Sequence, residues 1–194
     1  MCDIKIKVIP RHTVYCKEYE IRDYNDFFDE ATGANILVDL EELMHSQNPD
    51  VNVPEMPDDY NYITHSEGEI PGQNMKVLYS DMVDRKGTDT EQYRFCEVTE
   101  ITAAVMLHKG PYEKIGETYR RVYEWIEANG YEAAGGGRSS TIYGPWNKES
   151  REDYLTEVQI PVRKNRVKTA VRLSMAVFCL TKIKTEVLGQ SVPP

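Results

Sequence analysis

The segment 154–162 carries an acidic side chain in an alternating apolar pattern. Val158 and Ile160 fall on one side of an extended chain, while Glu157 and Gln159 fall on the other. The pattern predicts a β-strand whose apolar side packs on helices and whose Glu157 points away from them. A carboxylate in that position needs water or a partner, since Glu is rarely buried alone. Two interpretations stay open: a solvated edge residue, or an acidic group in a cleft that attracts a cation or a polar substrate.

The cysteines and histidines show no spacing typical of a metal site. The four cysteines lie far apart without a C-x-x-C pair, and the four histidines are isolated, without H-x-H or H-E-x-x-H. No Ser-His-Asp, Cys-His or paired-carboxylate arrangement can be recognised either. We therefore predict free thiols, no metal and no cofactor.

Length and composition are typical of a soluble globular protein. The chain has 194 residues, of which 40% are hydrophobic and 28% charged, with a mean hydropathy of -0.57. No segment approaches the roughly 18 apolar residues of a spanning helix, and the amino terminus lacks the layout of a secretory signal. These features predict a cytoplasmic protein without a membrane contact.

The net charge of -9 is unevenly distributed along the chain. Residues 163–194 contain seven Lys or Arg against one acid, Glu186, so the acidic residues concentrate in the remainder. An acidic body repels the phosphate backbone of nucleic acids, and direct nucleic-acid binding is therefore not expected.

Hydrophobic periodicity divides the chain into two similar halves. In the first half, one strand with a break at Pro10 covers the extended patterns at 4–8 and 13–17. A helical pattern from Tyr24 to Met44 follows, with Asp23 as its N-cap and a bend at Gly33, and then strands at 61–65 and 75–83. In the second half, a strand at 95–107 precedes a helix that Pro111 opens and Asn129-Gly130 closes, and strands at 139–143 and 154–162 follow.

An internal duplication explains this repetition. A shift of about 91 residues places Val14-Tyr15 over Val105-Met106 and Tyr24 over Ile115, although the match is one of pattern and hardly of identity. Two βαββ halves that complete one sheet, with both helices on one side, would follow from it.

Four segments of the second half together resemble the GyrI-like effector-binding domain. They are His108-Lys-Gly-Pro-Tyr112, Glu124-Trp-Ile-Glu-Ala-Asn-Gly130, Ile142-Tyr-Gly-Pro145 and Leu155-Thr-Glu-Val-Gln-Ile-Pro-Val162. Each piece is weak alone, but the series is fairly specific as a set. The resemblance covers 95–163, is fainter over 4–83 and is absent from the tail.

This resemblance implies an α+β fold and a position for the ligand. The family has two βαββ repeats related by a pseudo-twofold axis, an antiparallel sheet with both helices on one face, and a ligand cleft on the other face. In multidrug-binding relatives, a glutamate that matches Glu157 meets lipophilic cations among aromatic rings. The aromatic residues nearest this motif, or on the equivalent strand, are expected to contribute to the cleft: Tyr143, Trp146, Tyr112 and Tyr79.

The resemblance also limits the domain organisation. We predict a GyrI-like domain over 1–163, with repeats at about 3–84 and 93–163, and a basic, apolar tail at 164–194 outside the family pattern. That tail is a candidate contact for a homodimer. Regulators of this family carry a helix-turn-helix before the domain, whereas here the domain begins almost at Met1, so a stand-alone protein is expected.

Three functions are compatible with the sequence. The first is a stand-alone protein that captures lipophilic aromatic or cationic compounds, in drug or toxin resistance. The second is a hydrolase of electrophilic, cyclopropane-containing toxins, with Glu157 as general base and Tyr143 polarising the leaving side. The third is an interaction protein similar to gyrase inhibitors. The sequence leaves open whether the protein is an enzyme.

Overall fold

The computed structural model describes residues 4–28, 35–54 and 61–165. These residues form an α+β fold with one large antiparallel sheet. Its strands are β1 (Lys5–Ile9), β2 (His12–Ile21), β3 (Asn61–Thr64), β4 (Met75–Val83), β5 (Arg94–Val98), β6 (Ile101–Lys109), β7 (Tyr131–Ala133), β8 (Arg138–Tyr143) and β9 (Leu155–Lys164). The helices are α1 (Ile36–Gln47) and α2 (Ile115–Ala128). No helix among the described residues is long and apolar enough to cross a membrane.

The strand order has the symmetry expected of two βαββ halves. It runs β1-β6-β9-β8-β3-β4-β2-β5, and β7 pairs with β9 beside this path. The set β6-β9-β8 therefore mirrors β2-β4-β3, with the pseudo-twofold axis between β8 and β3. The outer strands are exchanged: β1 precedes β2 but pairs with β6, and β5 precedes β6 but pairs with β2.

Both helices pack on the same face of the sheet. Helix α2 buries Ile115, Tyr119 and Val122, and α1 buries Leu40 and Met44, in one continuous hydrophobic core. The spacing of three and four residues places these side chains on one stripe of each helix. Burial of one such aliphatic side chain stabilises the fold by about 1.5–3 kcal/mol.

The helical pattern predicted from Tyr24 to Met44 is divided in the structure. Asp23 does act as an N-cap, since its side chain accepts a hydrogen bond from the Asn25 N–H at 2.8 Å, but the turn it caps is a short 3₁₀ segment, Tyr24–Phe27. Phe28 is extended and bridges to Asn35, which caps α1. Periodicity missed this division because the 3₁₀ turn buries Tyr24 and Phe27 in the same core as α1. The predicted bend at Gly33 lies outside the described residues.

Two predicted strands are also divided. The pattern at 95–107 contains β5 and β6, which pair with different neighbours, and the segments on either side of Pro10 are β1 and β2, which likewise pair with different strands. Alternation along a chain shows that a residue is extended, but it contains no information about a change of partner.

The two halves meet through a short junction between β3 and β8. Ile63 pairs with Ser139 and Thr64 with Arg138, and the His65 N–H donates to the Gly137 carbonyl at 2.9 Å. Beneath this junction, buried polar side chains from both halves are connected. The Ser139 Oγ hydrogen-bonds the Tyr24 and Tyr119 hydroxyls at 2.9 Å each, and the Tyr24 hydroxyl also contacts the His65 Nε2.

We expect Ser139→Ala to destabilise the protein by about 1–3 kcal/mol, because it leaves two buried tyrosine hydroxyls without their shared partner. Urea unfolding monitored by circular dichroism measures this loss. Ser46→Ala, at an exposed position of α1, is the matched control and should change stability by less than about 0.5 kcal/mol. Equal stabilities of the two variants would contradict a stabilising role for the junction hydroxyls.

The predicted end of the domain at 163 stays a prediction, and the structure sharpens where to test it. Lys164 still pairs with Tyr131, and the Asn165 N–H donates to the Gly130 carbonyl at 2.9 Å. A chain that ends after Asn165 should therefore retain cooperative unfolding, with a midpoint within a few degrees of the full chain by calorimetry. Loss of the cooperative transition would show that the boundary is misplaced.

Candidate functional site

A cavity of about 230 Å³ opens on the helix-bearing face, where the two halves meet. Side chains of α1 form one wall, and side chains of β3, β4 and β8 form the floor. Six of the lining residues are aromatic: Tyr24, Phe27, Phe28, Tyr79, Tyr112 and Trp146. Six others are polar or charged: Asn35, Glu41, Asn61, Asp81, Ser139 and Thr141. A cavity rich in aromatic rings with a limited number of polar groups is typical of small-molecule sites.

Two carboxylates line this cavity, Asp81 on β4 and Glu41 on α1. Asp81 is only 1% exposed. Its Oδ2 accepts hydrogen bonds from the Tyr15 hydroxyl at 2.9 Å and the Tyr79 hydroxyl at 3.3 Å. Its Oδ1 is buried and has no hydrogen-bond partner among the described residues.

The surroundings of Asp81 disfavour its charged form. Burial, as the main cause, raises the pKa of Asp81 to about 7, and the charge of Glu41 adds to the increase. The hydrogen bonds from Tyr15 and Tyr79 act in the opposite direction without cancelling it. Burial also raises the pKa of Tyr15 far above its ordinary value, so that hydroxyl stays protonated and donates.

Asp81 occupies what is otherwise a core position of the sheet. It pairs with Tyr15 across β2 and β4. Under the correspondence between the halves, Tyr15 matches Met106, and the strand partner of Met106 is the fully buried Val158. A carboxyl group in the place of a buried valine lowers stability, and such violations of the core pattern are typical of functional sites.

The aromatic walls are held by contacts between rings. Tyr112 packs edge-on against Tyr24, with ring centroids 5.5 Å apart, and lies 5.3 Å from Tyr154. Phe27 and Tyr79 are 6.5 Å apart on the opposite side. Burial raises the pKa of both Tyr24 and Tyr112, so their rings are neutral phenols at physiological pH. These packed rings present preformed faces to a ligand.

Trp146 lies at the mouth of the cavity and is 46% exposed. The turn that contains Trp146 is closed by Asn147, whose Oδ1 accepts a hydrogen bond from the Gly144 N–H at 2.9 Å. A Cβ at Gly144 would lie 2.4 Å from the Trp146 ring and 2.8 Å from the Tyr112 hydroxyl. Glycine at this position is therefore what allows the indole to fold over the turn and reach the cavity.

The structure brings together three of the predicted ligand-binding residues. Tyr79, Tyr112 and Trp146 line the cavity, whereas Glu157 and Tyr143 are not among its described lining residues. Tyr143 is 41% exposed, and the Lys148 Nζ lies 4.3 Å from the centroid of its ring. That these residues bind a ligand stays a prediction in every case.

Glu157 points away from the helices, as its alternation predicts, but it lies on the face opposite the cavity. There its Oε1 accepts from the Lys7 Nζ at 2.9 Å and from the Gln159 Nε2 at 2.9 Å. The sequence placed Glu157 and the aromatic rings in one cleft, and the structure separates them. The physical reason is alternation: Ser139 and Thr141 of β8 face the cavity, whereas Ser140, the strand partner of Glu157, faces the other side of the sheet.

Sequence reasoning missed the two carboxylates of the site. The signal for Asp81 was present in the strand pattern of 75–83, because alternation places it on the same side as Met75, Val77, Tyr79 and Val83. Glu41 has the appearance of a solvated helix residue. Within the described residues, no group of three or more His, Cys, Asp or Glu side chains could hold a metal ion.

The fold and the cavity together define a small-molecule-binding α+β domain. The sequence model of the family described as "GyrI-like small molecule binding domain" matches residues 41–163, and the chain belongs to this family. The comparison with curated proteins found no match.

Solved structures with a similar fold include the C-terminal domain of EcmrR. This crystal structure has 27% sequence identity and a TM-score of 0.74, and the match covers 84% of this chain and 99% of that one. EcmrR in a cryo-EM complex with DNA matches with 27% identity and a TM-score of 0.73, but there the match spans only 58% of the EcmrR chain. A hydrolase from Listeria innocua, at 13% identity, a TM-score of 0.55 and coverage of 82% and 91%, shares the fold alone.

We expect Asp81→Asn to stabilise the unliganded protein increasingly as pH rises. The folded-state pKa of about 7 lies above the ordinary value of 3.8. The folded protein therefore holds the proton more tightly than the unfolded chain, and wild type loses stability as the pH increases through this range. Between pH 5.5 and 8 the stability difference should grow by about 2 kcal/mol in favour of the variant. Urea unfolding at both pH values measures it, and a pH-independent difference would contradict the buried, proton-binding Asp81.

Proposed function

We propose that this protein captures a lipophilic organic cation in the aromatic cavity. The observation that carries the proposal is the buried carboxyl group of Asp81, which lines an aromatic-rich cavity and whose Oδ1 has no hydrogen-bond partner of good geometry in the described part of the chain. The family assignment, a small molecule binding domain, supports the general class of function.

The chemistry of the walls favours a cation over other ligands. Each aromatic face stabilises a positive charge by about 0.5–2 kcal/mol, depending on how far the cation is desolvated. A carboxylate buried without a cationic partner is unfavourable, and a bound cation supplies that partner. Glu41, on the opposite wall, adds a second negative group.

A role in drug or toxin resistance is part of the same proposal. Lipophilic cations that enter cells include many toxic compounds, and a protein that binds them stoichiometrically lowers their free concentration. In this scheme Tyr79, Tyr112 and Trp146 contribute rings, and Asp81 takes the role that the sequence assigned to Glu157.

Fluorescence of Trp146 provides a direct test. In a Trp125→Phe background, where Trp146 is the remaining tryptophan of the chain, titration at pH 8 with a panel of aromatic cations should give saturable quenching. Asp81→Asn should weaken binding at least about 10-fold, since it removes a charge-assisted contact worth about 1.5 kcal/mol or more.

Glu157→Gln is the matched control, because it removes a carboxylate of the same sheet that lies outside the cavity. It should change affinity less than about twofold. The absence of saturable quenching with every cation would refute the proposal. Loss of binding in Glu157→Gln with retention in Asp81→Asn would instead show that the ligand binds on the sheet face that carries Glu157, as the sequence predicted.

A hydrolase is the second candidate, and one observation favours it. A carboxyl group whose pKa is about 7 lies within hydrogen-bond reach of the Tyr79 hydroxyl in an apolar cavity, an arrangement suited to a general base on water. Incubation with a cyclopropane alkylator separates the two functions. Product in large excess over protein, lost in Asp81→Asn, supports hydrolysis, while uptake that stops at one equivalent supports binding.

A further inference from the structure

We propose that the cavity exchanges a proton for its cation: Asp81 is protonated in the empty cavity near and below neutral pH, releases its proton to water when the cation enters, and takes a proton back when the cation leaves. This inference rests on the proposed function and specifies how the same site is regulated. Because of this exchange, the affinity of the protein for cations decreases as the pH falls.

The groups that face Asp81 explain why the empty cavity holds the proton. They are the Tyr15 hydroxyl from β2, the Tyr79 hydroxyl from β4, Glu41 from α1 and the neutral side chain of Asn61, its strand neighbour on β3. Tyrosine and asparagine carry no charge, whereas Glu41 contributes a negative charge, and its Oε1 lies 3.6 Å from the Nε2 of His45 on the same helix. None of the described residues lining the cavity is Lys, Arg or His.

The hydrogen-bond pattern leaves a defined place for the proton. Both tyrosine hydroxyls donate to Oδ2, whereas Oδ1 has no partner of good hydrogen-bond geometry among the described residues. The neighbouring Met82 N–H also favours the carboxylate, more weakly than the two hydroxyls do. A proton on Oδ1 neutralises the buried group without disturbing either tyrosine. Burial accordingly raises the pKa of Asp81 to about 7.

A bound cation reverses this balance. An opposite charge within about 4–6 Å lowers the pKa of a carboxyl group by about 1–3 units, so the acid loses its proton to solvent and remains as the ion-pair partner of the ligand. Charge balances, since one positive ligand enters for each proton that leaves. A neutral ligand of the same shape produces no such shift and leaves the proton in place.

The test compares two nearly isosteric probes, the cation N-methylquinolinium and the neutral 1-methylnaphthalene. With the Trp125→Phe protein, the Kd of the cation should rise about 8- to 30-fold as pH falls from 8.5 to 5.5, as expected when a bound charge lowers a pKa of about 7 by about 1–3 units. The Kd of the neutral probe should change less than about twofold over the same range.

Calorimetry supplies a second measurement that needs no cavity variant. At pH 6, N-methylquinolinium binding in buffers of different ionisation enthalpy should release about 0.4 to 0.9 proton per ligand, for a decrease of about 1–3 units from a pKa of about 7. Asp81→Asn should abolish both the release and the pH dependence of Kd, whereas Glu41→Gln should weaken the cation and retain both.

The outcomes separate this inference from the proposed function. Saturable binding of the cation with a pH-independent Kd and no buffer-dependent heat would overturn the exchange and leave cation binding intact. A Kd that still depends on pH in Asp81→Asn but not in Glu41→Gln would also overturn it, because another group would then hold the proton. Failure of a panel of larger aromatic cations, as well as this probe, to bind at any pH would overturn the proposed function itself.

Discussion

The structure depends on the short junction between β3 and β8, because this is where two similar halves become one sheet. The register there contains only Ile63 with Ser139 and Thr64 with Arg138. Such a short ladder is reinforced from below by the hydroxyls that meet at Ser139 and by the exchange of the outer strands β1 and β5. A buried polar contact adds to the specificity of the register, because a slip would leave these buried hydroxyls without their hydrogen-bond partners.

The cavity is a consequence of the same junction. The helices bury their apolar stripes over the two halves, and among the described residues Tyr24, Tyr112 and Trp146 contribute rings to the cavity between them. Strand β4 directs Asp81 into this space, at the position that Val158 occupies in the second half. The core thus gives up some stability at one position and gains a buried carboxyl group, and such a violation of the apolar pattern is typical of functional sites.

Much of the fold was accessible from the sequence, and the exceptions are informative. Helix α2 and strands β3, β4, β8 and β9 follow from periodicity and capping, because local spacing determines which residues share a face. The division of 24–44 and of 95–107 escaped prediction, since periodicity continues when a chain changes direction inside one core. For the candidate site, the sequence indicated Tyr79, Tyr112 and Trp146 as aromatic candidates, but it paired them with Glu157, an acid on the other face.

The sequence by itself determined that the chain has two βαββ halves, that Glu157 points away from the helices, and that the family is the GyrI-like one. These are properties of residue order along each strand or helix. Only the tertiary structure decided that the cavity opens on the helix-bearing face and that its carboxylates are Asp81 and Glu41. The reason is that a strand pattern reports two faces without saying what covers each, and coverage depends on where α1 begins and how the halves join.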